Sequence, residues 1–390
     1  MFASTYPPRH CGVATFTQAL SSATGEREVV VLHGPGPNLL YPSEVHHRIR
    51  RDEPGDYART GRDLSRCADV VSIQHDYGIW GGDDGAAVLD FVHALDAPAV
   101  ATLHTVLQHP TPNQRAILLE LIRAAAATVV MSRAAAHVLA GTYGVAAESL
   151  DVIPHGVPNL PLVDSGTIKP ALDLAGREVI LSFGLIGPGK GLELVLDALP
   201  AVVAARPTAC FVVVGVTHPN ALAVAGEAYR RSLEDRVARL GMGRHVRFVD
   251  RFVGRVELTR WLEGADVFVT PYSDLDRIVS GTLSYAMGAG CAIVSTPYAH
   301  ARELLDGGRG VLVPPGSPAA WADAIIGLLE NDELRASLGR RAHEHSRTMV
   351  WSNVATQYRE LFARVVAGAR FEARPPGSRF LGTSAIVDGR

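Results

Sequence analysis

Short, almost uninterrupted apolar runs recur along this chain, each followed by a longer stretch with helical spacing, and the pattern is laid down twice. Val29-Val30-Val31-Leu32, Val70-Val71-Ser72-Ile73, Ala99-Val100-Ala101-Thr102-Leu103 and Thr128-Val129-Val130-Met131 make the first set. Such runs lack the alternation of a half-exposed strand, so they read as strands covered on both faces, the condition of a parallel sheet flanked by helices. Helices are expected between them over 15–24, 85–95, 113–126 and 133–143, the last stopped by Gly144. Leu150-Asp151-Val152-Ile153-Pro154 closes the set, and Pro158, Pro161, Gly166 and Pro170 then break the periodicity and mark a linker.

The second set opens with Val179-Ile180-Leu181-Ser182-Phe183-Gly184 and continues with strands over 210–215, 246–249, 267–270, 292–295 and 310–313. Helices are expected over 192–205, 223–240, 257–264, 319–329, 333–345 and 351–367. The architecture implied is α/β, with two similar halves facing a cleft where the carboxyl ends of parallel strands hold ligands. We divide the chain into 1–165, 166–348, a helix at 349–370 that returns to the first half, and a tail at 371–390 too rich in proline, glycine and small residues to assign.

Composition supports that division and excludes several classes. A chain of 390 residues, 47% hydrophobic and 20% charged, can bury two separate cores. Its formal net charge of −3 and the lack of a dense lysine or arginine run argue against a nucleic-acid partner. Cys11, Cys67, Cys210 and Cys291 stand far apart with no paired metal-ligand spacing, and read as thiols of a reducing compartment. No secretory leader pattern opens the sequence and no apolar stretch reaches membrane-span length, so a cytoplasmic location is expected, with peripheral membrane contact left open.

Two segments carry chemistry. The loop Gly187-Pro188-Gly189-Lys190-Gly191 follows a buried-type strand and precedes a helix, and Ser280-Gly281-Thr282-Leu283 is a polar turn opening into an apolar helix. A helix start offers free N–H groups and a positive dipole end, and a lysine on a glycine loop adds a movable charge, so the pair reads as a diphosphate pocket. The plainer readings are an exposed loop lysine and a glycine that merely permits a turn. Gln74-His75-Asp76-Tyr77-Gly78 ends a buried run in polar groups and reads as a cleft edge that binds the acceptor. A metal on His75 and Asp76 lacks a third ligand at a recognisable spacing. A dinucleotide Gly-x-Gly-x-x-Gly fingerprint, a Walker loop and a Gly-x-Ser-x-Gly elbow are all missing.

Taken together the segments resemble the retaining glycosyltransferases of GT-B fold, glycosyltransferase family 4-like or group 1, a family that includes sucrose synthases and bacterial mannosyltransferases. Pro7-Pro8-Arg9-His10-Cys11-Gly12-Val13-Ala14-Thr15 looks like the family's first loop, Thr102-Leu103-His104-Thr105 like the strand end that carries a histidine into the cleft, and Ile153-Pro154-His155-Gly156-Val157 like the segment at the domain boundary. The stretches 184–191 and 267–290 correspond to the phosphate loop and the nucleotide-sugar site. Four positions depart from the family's pattern: its arginine after the loop's first glycine is Leu185 here, its two glutamates fall at Arg277 and Tyr285, and the asparagine of its domain-boundary segment is His155. Asp276 or Asp274 is left to contact sugar hydroxyls, or Asp276 is simply an acid preceding a helix.

The resemblance implies two Rossmann-like domains facing a central cleft, with a C-terminal crossover helix. It implies catalytic roles for His104, Lys190 and Asp276, donor binding by Gly12, Gly189, Lys190, Ser280, Gly281, Thr282, Leu283 and Tyr285, and acceptor binding by His75, Asp76 and Tyr77. The implied activity is transfer of a mannose- or glucose-type hexose from a nucleotide-diphosphate sugar, with retention, to a glycan, lipid-linked or small-molecule acceptor. No cofactor or metal is implied. A glycosyl phosphorylase of the same fold and a non-catalytic nucleotide-sugar-binding partner are the alternatives.

Overall fold

In the computed structural model of the protein, which describes residues 1–34 and 39–372, the two sets of apolar runs form two parallel sheets. The first contains β1 (Phe2–Ser4), β2 (Val29–His33), β3 (Val45–Arg50), β4 (Val71–His75), β5 (Ala99–Leu103), β6 (Ala127–Val130) and β7 (Leu150–Val152), in the order β3-β2-β1-β4-β5-β6-β7. The second contains β8 (Glu178–Phe183), β9 (Ala209–Val214), β10 (Val246–Val249), β11 (Val267–Thr270), β12 (Ala292–Ser295) and β13 (Val311–Leu312), in the order β10-β9-β8-β11-β12-β13. In both sheets the winding reverses beside the strand that comes first in sequence, between β1 and β4 and between β8 and β11. Loops leaving the carboxyl ends of those strands flank the crevice where such sheets bind ligands.

Packing explains why the runs were so apolar. The central strands β4, β5, β8, β9 and β11 are covered on both faces, with Phe211, Phe268 and Trp321 sealed in the second half and Trp80 and Phe91 in the first. Where a strand has little room for a pattern, the sequence reading passed it by. Strand β1 has three residues, and β3 is an edge strand reading Val-His-His-Arg-Ile-Arg, with only Ile49 fully buried. The helices Pro54–Leu64 and Ala299–Leu305 were also not anticipated. The helix expected over 223–240 is two, Pro219–Ala225 and Ala228–Arg239. The break is Gly226, whose φ of 59° and ψ of −140° suit glycine rather than a residue with a side chain. The helix expected over 85–95 is shortened to Ala87–His93.

The chain passes between the halves twice. After β7 it runs through His155 to Val157, and it returns at Val350 into the long helix Trp351–Glu372. The two passages lie side by side: Val157 N donates to Met349 O at 2.9 Å and Trp351 N to Val157 O at 3.0 Å. Farther on, 165–172 is helical and bound to the second half, with Lys169 Nζ 2.6 Å from the Asp266 carboxylate. The returning helix packs on the first half, where the Tyr358 hydroxyl meets Thr102 Oγ1 at 3.1 Å and Arg364 pairs with Asp151 at 2.6 Å. Of the tail set apart in the sequence, 373–390 lies outside the described residues.

Trp351 is the anchor of that return. It is 8% exposed, and the ring lies so close to Gly156 that a Cβ there would come within 2.3 Å of it. We expect Trp351→Ala to lower stability by about 3–5 kcal/mol, the usual loss for emptying a large aromatic site. A denaturant midpoint unchanged from wild type would refute it.

Candidate active site

Strands β8 and β11 are neighbours, Val267 opposite Ile180 and Phe268 opposite Leu181, so the loops at their carboxyl ends emerge together. The loop after β8 turns through Gly189 and Gly191, with φ of 87° and 64°. Gly191 is required on two counts, since the backbone is left-handed and a Cβ would sit 1.8 Å from the Pro271 carbonyl oxygen. This close approach carries Lys190 onto Tyr272, its Nζ 3.4 Å from the hydroxyl and 4.5 Å from the ring centroid. The same hydroxyl lies 2.7 Å from Thr282 Oγ1, which lies 3.1 Å from Ser280 Oγ. Ser280 caps the helix Gly281–Gly288, its hydroxyl accepting from Leu283 N at 3.3 Å. One phenol therefore joins the lysine to a helix start whose first N–H groups have no partner within the helix.

The field there is positive. Burial by itself would raise the Tyr272 hydroxyl, yet Lys190, then Arg277 at 4.9 Å from the same ring, and hydrogen bonds from Thr282 and Ser280 bring it below its ordinary value. A second helix start, this one uncapped, belongs to the other half. The helix Gly12–Thr24 has no side-chain cap, and a Cβ on Gly12 would meet no atom within 4 Å.

Four histidines surround these groups, and burial makes all of them neutral. His104 follows β5 and donates from Nε2 to Gln74 Oε1 at 2.8 Å, which leaves Nδ1 as an acceptor. Burial pulls its pKa down to about 3, so it can orient a hydroxyl but is too weak a base to deprotonate one. His155 donates from Nδ1 to the Gly156 carbonyl at 2.8 Å, and its Nε2 would be 2.8 Å from a Cβ on Gly281, so glycine there lets the helix start rest on the imidazole. His300 accepts from Ser280 N at 2.9 Å, which demands an unprotonated Nδ1 and agrees with a pKa lowered to about 3, first by burial and then by His155. His75 is fully buried, neither ring nitrogen has a hydrogen-bond partner, and burial lowers it to about 4.

Between the halves lies a cavity of about 250 Å³, walled by His104–His109 on one side and Asp274–Val279 on the other. That is below the roughly 300–1,000 Å³ of typical ligand pockets. Asp276 lines it, its carboxylate 4.0 Å from His109. Asp76 lies behind the cavity wall, accepting from Thr105 Oγ1 at 2.6 Å and from Gly78 N at 2.9 Å. The structure thus brings His104 and Asp276 to one cavity, and Lys190, Gly189, Ser280, Gly281 and Thr282 to the cradle beside it. Leu283 and Tyr285 turn their side chains into the core, Tyr285 toward His155, and Tyr77 donates its hydroxyl to the Gln114 carbonyl on the outer helix. Tyr272 and His300 were not singled out in the sequence. Both follow the carboxyl end of a strand, β11 and β12, which is the one signal that could have found them. Among the described residues no three His, Cys, Asp or Glu side chains converge as a metal would need, and no helix is long and apolar enough to cross a membrane.

Comparison with known proteins places this geometry in context. Residues 177–331 match the family model described as glycosyl transferases group 1, and residues 11–159 match the model for glycosyltransferase family 4. The phosphatidyl-myo-inositol mannosyltransferase of Mycobacterium tuberculosis is 30% identical over 292 residues, covering 72% of this chain and 71% of that protein. The D-inositol 3-phosphate glycosyltransferase of a Nocardioides species is 26% identical over 386 residues, covering 92% and 82%. Among solved structures, Anabaena Alr3699/HepE in complex with UDP and glucose superposes with a TM-score of 0.74 at 17% identity, covering 93% of this chain and 100% of that one. Sucrose-phosphate synthase from Thermosynechococcus elongatus gives 0.76 at 16% identity, covering 94% and 99%. Both share the two-sheet GT-B fold.

The neutral histidines set an acid limit. His75, His104, His155 and His300 hold folded values of about 3 to 4 against an ordinary 6.5, so below 6.5 the unfolded chain binds more protons than the folded one. Their contribution is complete above pH 6.5 and shrinks as pH falls toward 4, each with a slope of about 1.4 kcal/mol per pH unit. We expect the urea midpoint to be level from pH 8 to 7 and to fall steeply from 6 to 5, with His300→Asn lessening the slope by about one proton. A midpoint level down to pH 5 would refute the neutral assignment.

Proposed function

Because the chain belongs to glycosyltransferase family 4, in the group 1 class, we propose that it transfers a mannose- or glucose-type hexose from a nucleoside-diphosphate sugar to an acceptor hydroxyl with retention of anomeric configuration. The observation that carries this reading is the joining of Lys190 to the Gly281 helix start through the Tyr272 hydroxyl, at 3.4 and 2.7 Å. A cation, a row of hydroxyls and free helix N–H groups then face one space next to a cavity of about 250 Å³.

In the proposed reaction the bond between the anomeric carbon and the phosphate oxygen breaks, and negative charge gathers on the departing diphosphate. The Lys190 ammonium and the helix start stabilise that charge where it develops, which lowers the barrier rather than merely tightening binding. The acceptor oxygen bonds to the anomeric carbon from the face the phosphate leaves, and its proton passes to the departing phosphate oxygen. His104, with its Nδ1 acceptor, and Asp276 hold sugar hydroxyls at the cavity wall. With the counter-charge supplied by these groups, the reaction needs no divalent metal. The relatives named above put an inositol-containing hydroxyl acceptor first for assay, with UDP- and GDP-linked glucose and mannose as donors.

We expect Lys190→Ala to fold normally and to lose about 100-fold or more in turnover at saturating donor, the scale seen when one transition-state donor is removed. Chelator should leave the wild-type rate intact, and the product linkage read by NMR should keep the donor's configuration. Near-wild-type turnover in Lys190→Ala, or an inverted product, would overturn the reading. Sugar phosphate formed from a disaccharide and inorganic phosphate would favour a phosphorylase instead.

A further inference from the structure

The chain lacks the phosphate-loop arginine its family resemblance leads one to expect, having Leu185, and bears Arg277 where a sugar-contacting glutamate is expected. In three dimensions Arg277 shares the ring of Tyr272 with the lysine of that loop. The Arg277 guanidinium carbon lies 4.9 Å from the centroid of Tyr272, the same ring that Lys190 covers at 4.5 Å. Tyr298 stacks on that ring at 5.2 Å, further confining the two cations. The ion pair to Asp274 is long, 3.8 Å, and the buried Nε of Arg277 has no hydrogen-bond partner. The backbone beneath it is held, since the Arg277 carbonyl accepts from His300 N at 3.1 Å, the same residue whose ring receives the Ser280 N–H. Two like charges held on one ring repel each other unless an anion stands between them, and a guanidinium fork matches phosphate oxygens two at a time.

We propose that Arg277 is the second phosphate cation of this enzyme, reaching the donor's diphosphate from the sugar side of the cleft and replacing the arginine absent at 185. The inference rests on the nucleotide-sugar reading above. The positive charge of the site has been relocated, and the first sugar carboxylate given up for it.

Isothermal titration of the full chain with UDP, GDP and ADP, and with the matching monophosphates, tests this in wild type, Arg277→Gln and Arg277→Lys. Arg277→Gln should weaken whichever diphosphate binds wild type by about 10- to 100-fold and its monophosphate by less than about threefold, with kcat falling alongside. Leu185→Arg placed in Arg277→Gln should recover part of the diphosphate affinity. If Arg277→Gln fails to fold by thermal unfolding, Arg277→Lys carries the comparison, with about a tenfold loss expected from the missing fork. A diphosphate affinity within threefold of wild type overturns the inference, as does a rise in the acceptor KM with donor binding unchanged, which would put the anion on the acceptor. Wild-type protein that binds none of the diphosphates overturns the nucleotide-sugar reading itself, and the role of Arg277 with it.

Discussion

The geometry of the cleft is referenced to a single ring. Phe16, 2% exposed on the helix that begins at Gly12, presents its edge or face to His104 at 4.8 Å, His155 at 5.1 Å and Trp351 at 5.3 Å. Those three partners come from the end of β5, from the outgoing passage between the halves and from the returning helix. Each such contact adds about 0.5–1.5 kcal/mol beyond area burial, but the larger effect is positional. His155 in turn underlies Gly281, so the start of the helix Gly281–Gly288 rests on a stack that begins in the other half.

Onto that frame the molecule builds an unusual charge arrangement. Lys190 and Arg277 both lie against the ring of a buried phenol, whereas burial holds His104, His155, His75 and His300 neutral. Burial accounts for most of this, and it has a chemical use. Neutral imidazoles supply lone pairs for hydroxyls and for the Ser280 N–H without adding to the repulsion between the two cations. The second half also reaches across with an acid: Glu303 accepts from the N–H groups of Arg133 and Ala134 at 3.0 and 2.9 Å, an anion at a helix start of the first half.

Much of this was legible in the residues. The double run of apolar strands marked two parallel sheets because burial on both faces leaves little room for polar residues, and the glycines around Lys190 marked a loop that presents a movable cation. What escaped was decided by neighbours distant in sequence. The polar spelling of β3 makes sense only once it lies at a sheet edge, Tyr272 gains meaning only when β8 and β11 pair, and Leu185 with Arg277 look like two losses until folding brings the guanidinium onto the ring that Lys190 covers. The split at Gly226 was missed because its helical spacing continues through a residue whose backbone turns away.

The paired passages at Val157 and Val350 carry a consequence for how such a molecule moves. A lobe tethered by one passage of chain can turn freely about it, whereas two passages hydrogen-bonded to each other leave one half fewer ways to turn against the other.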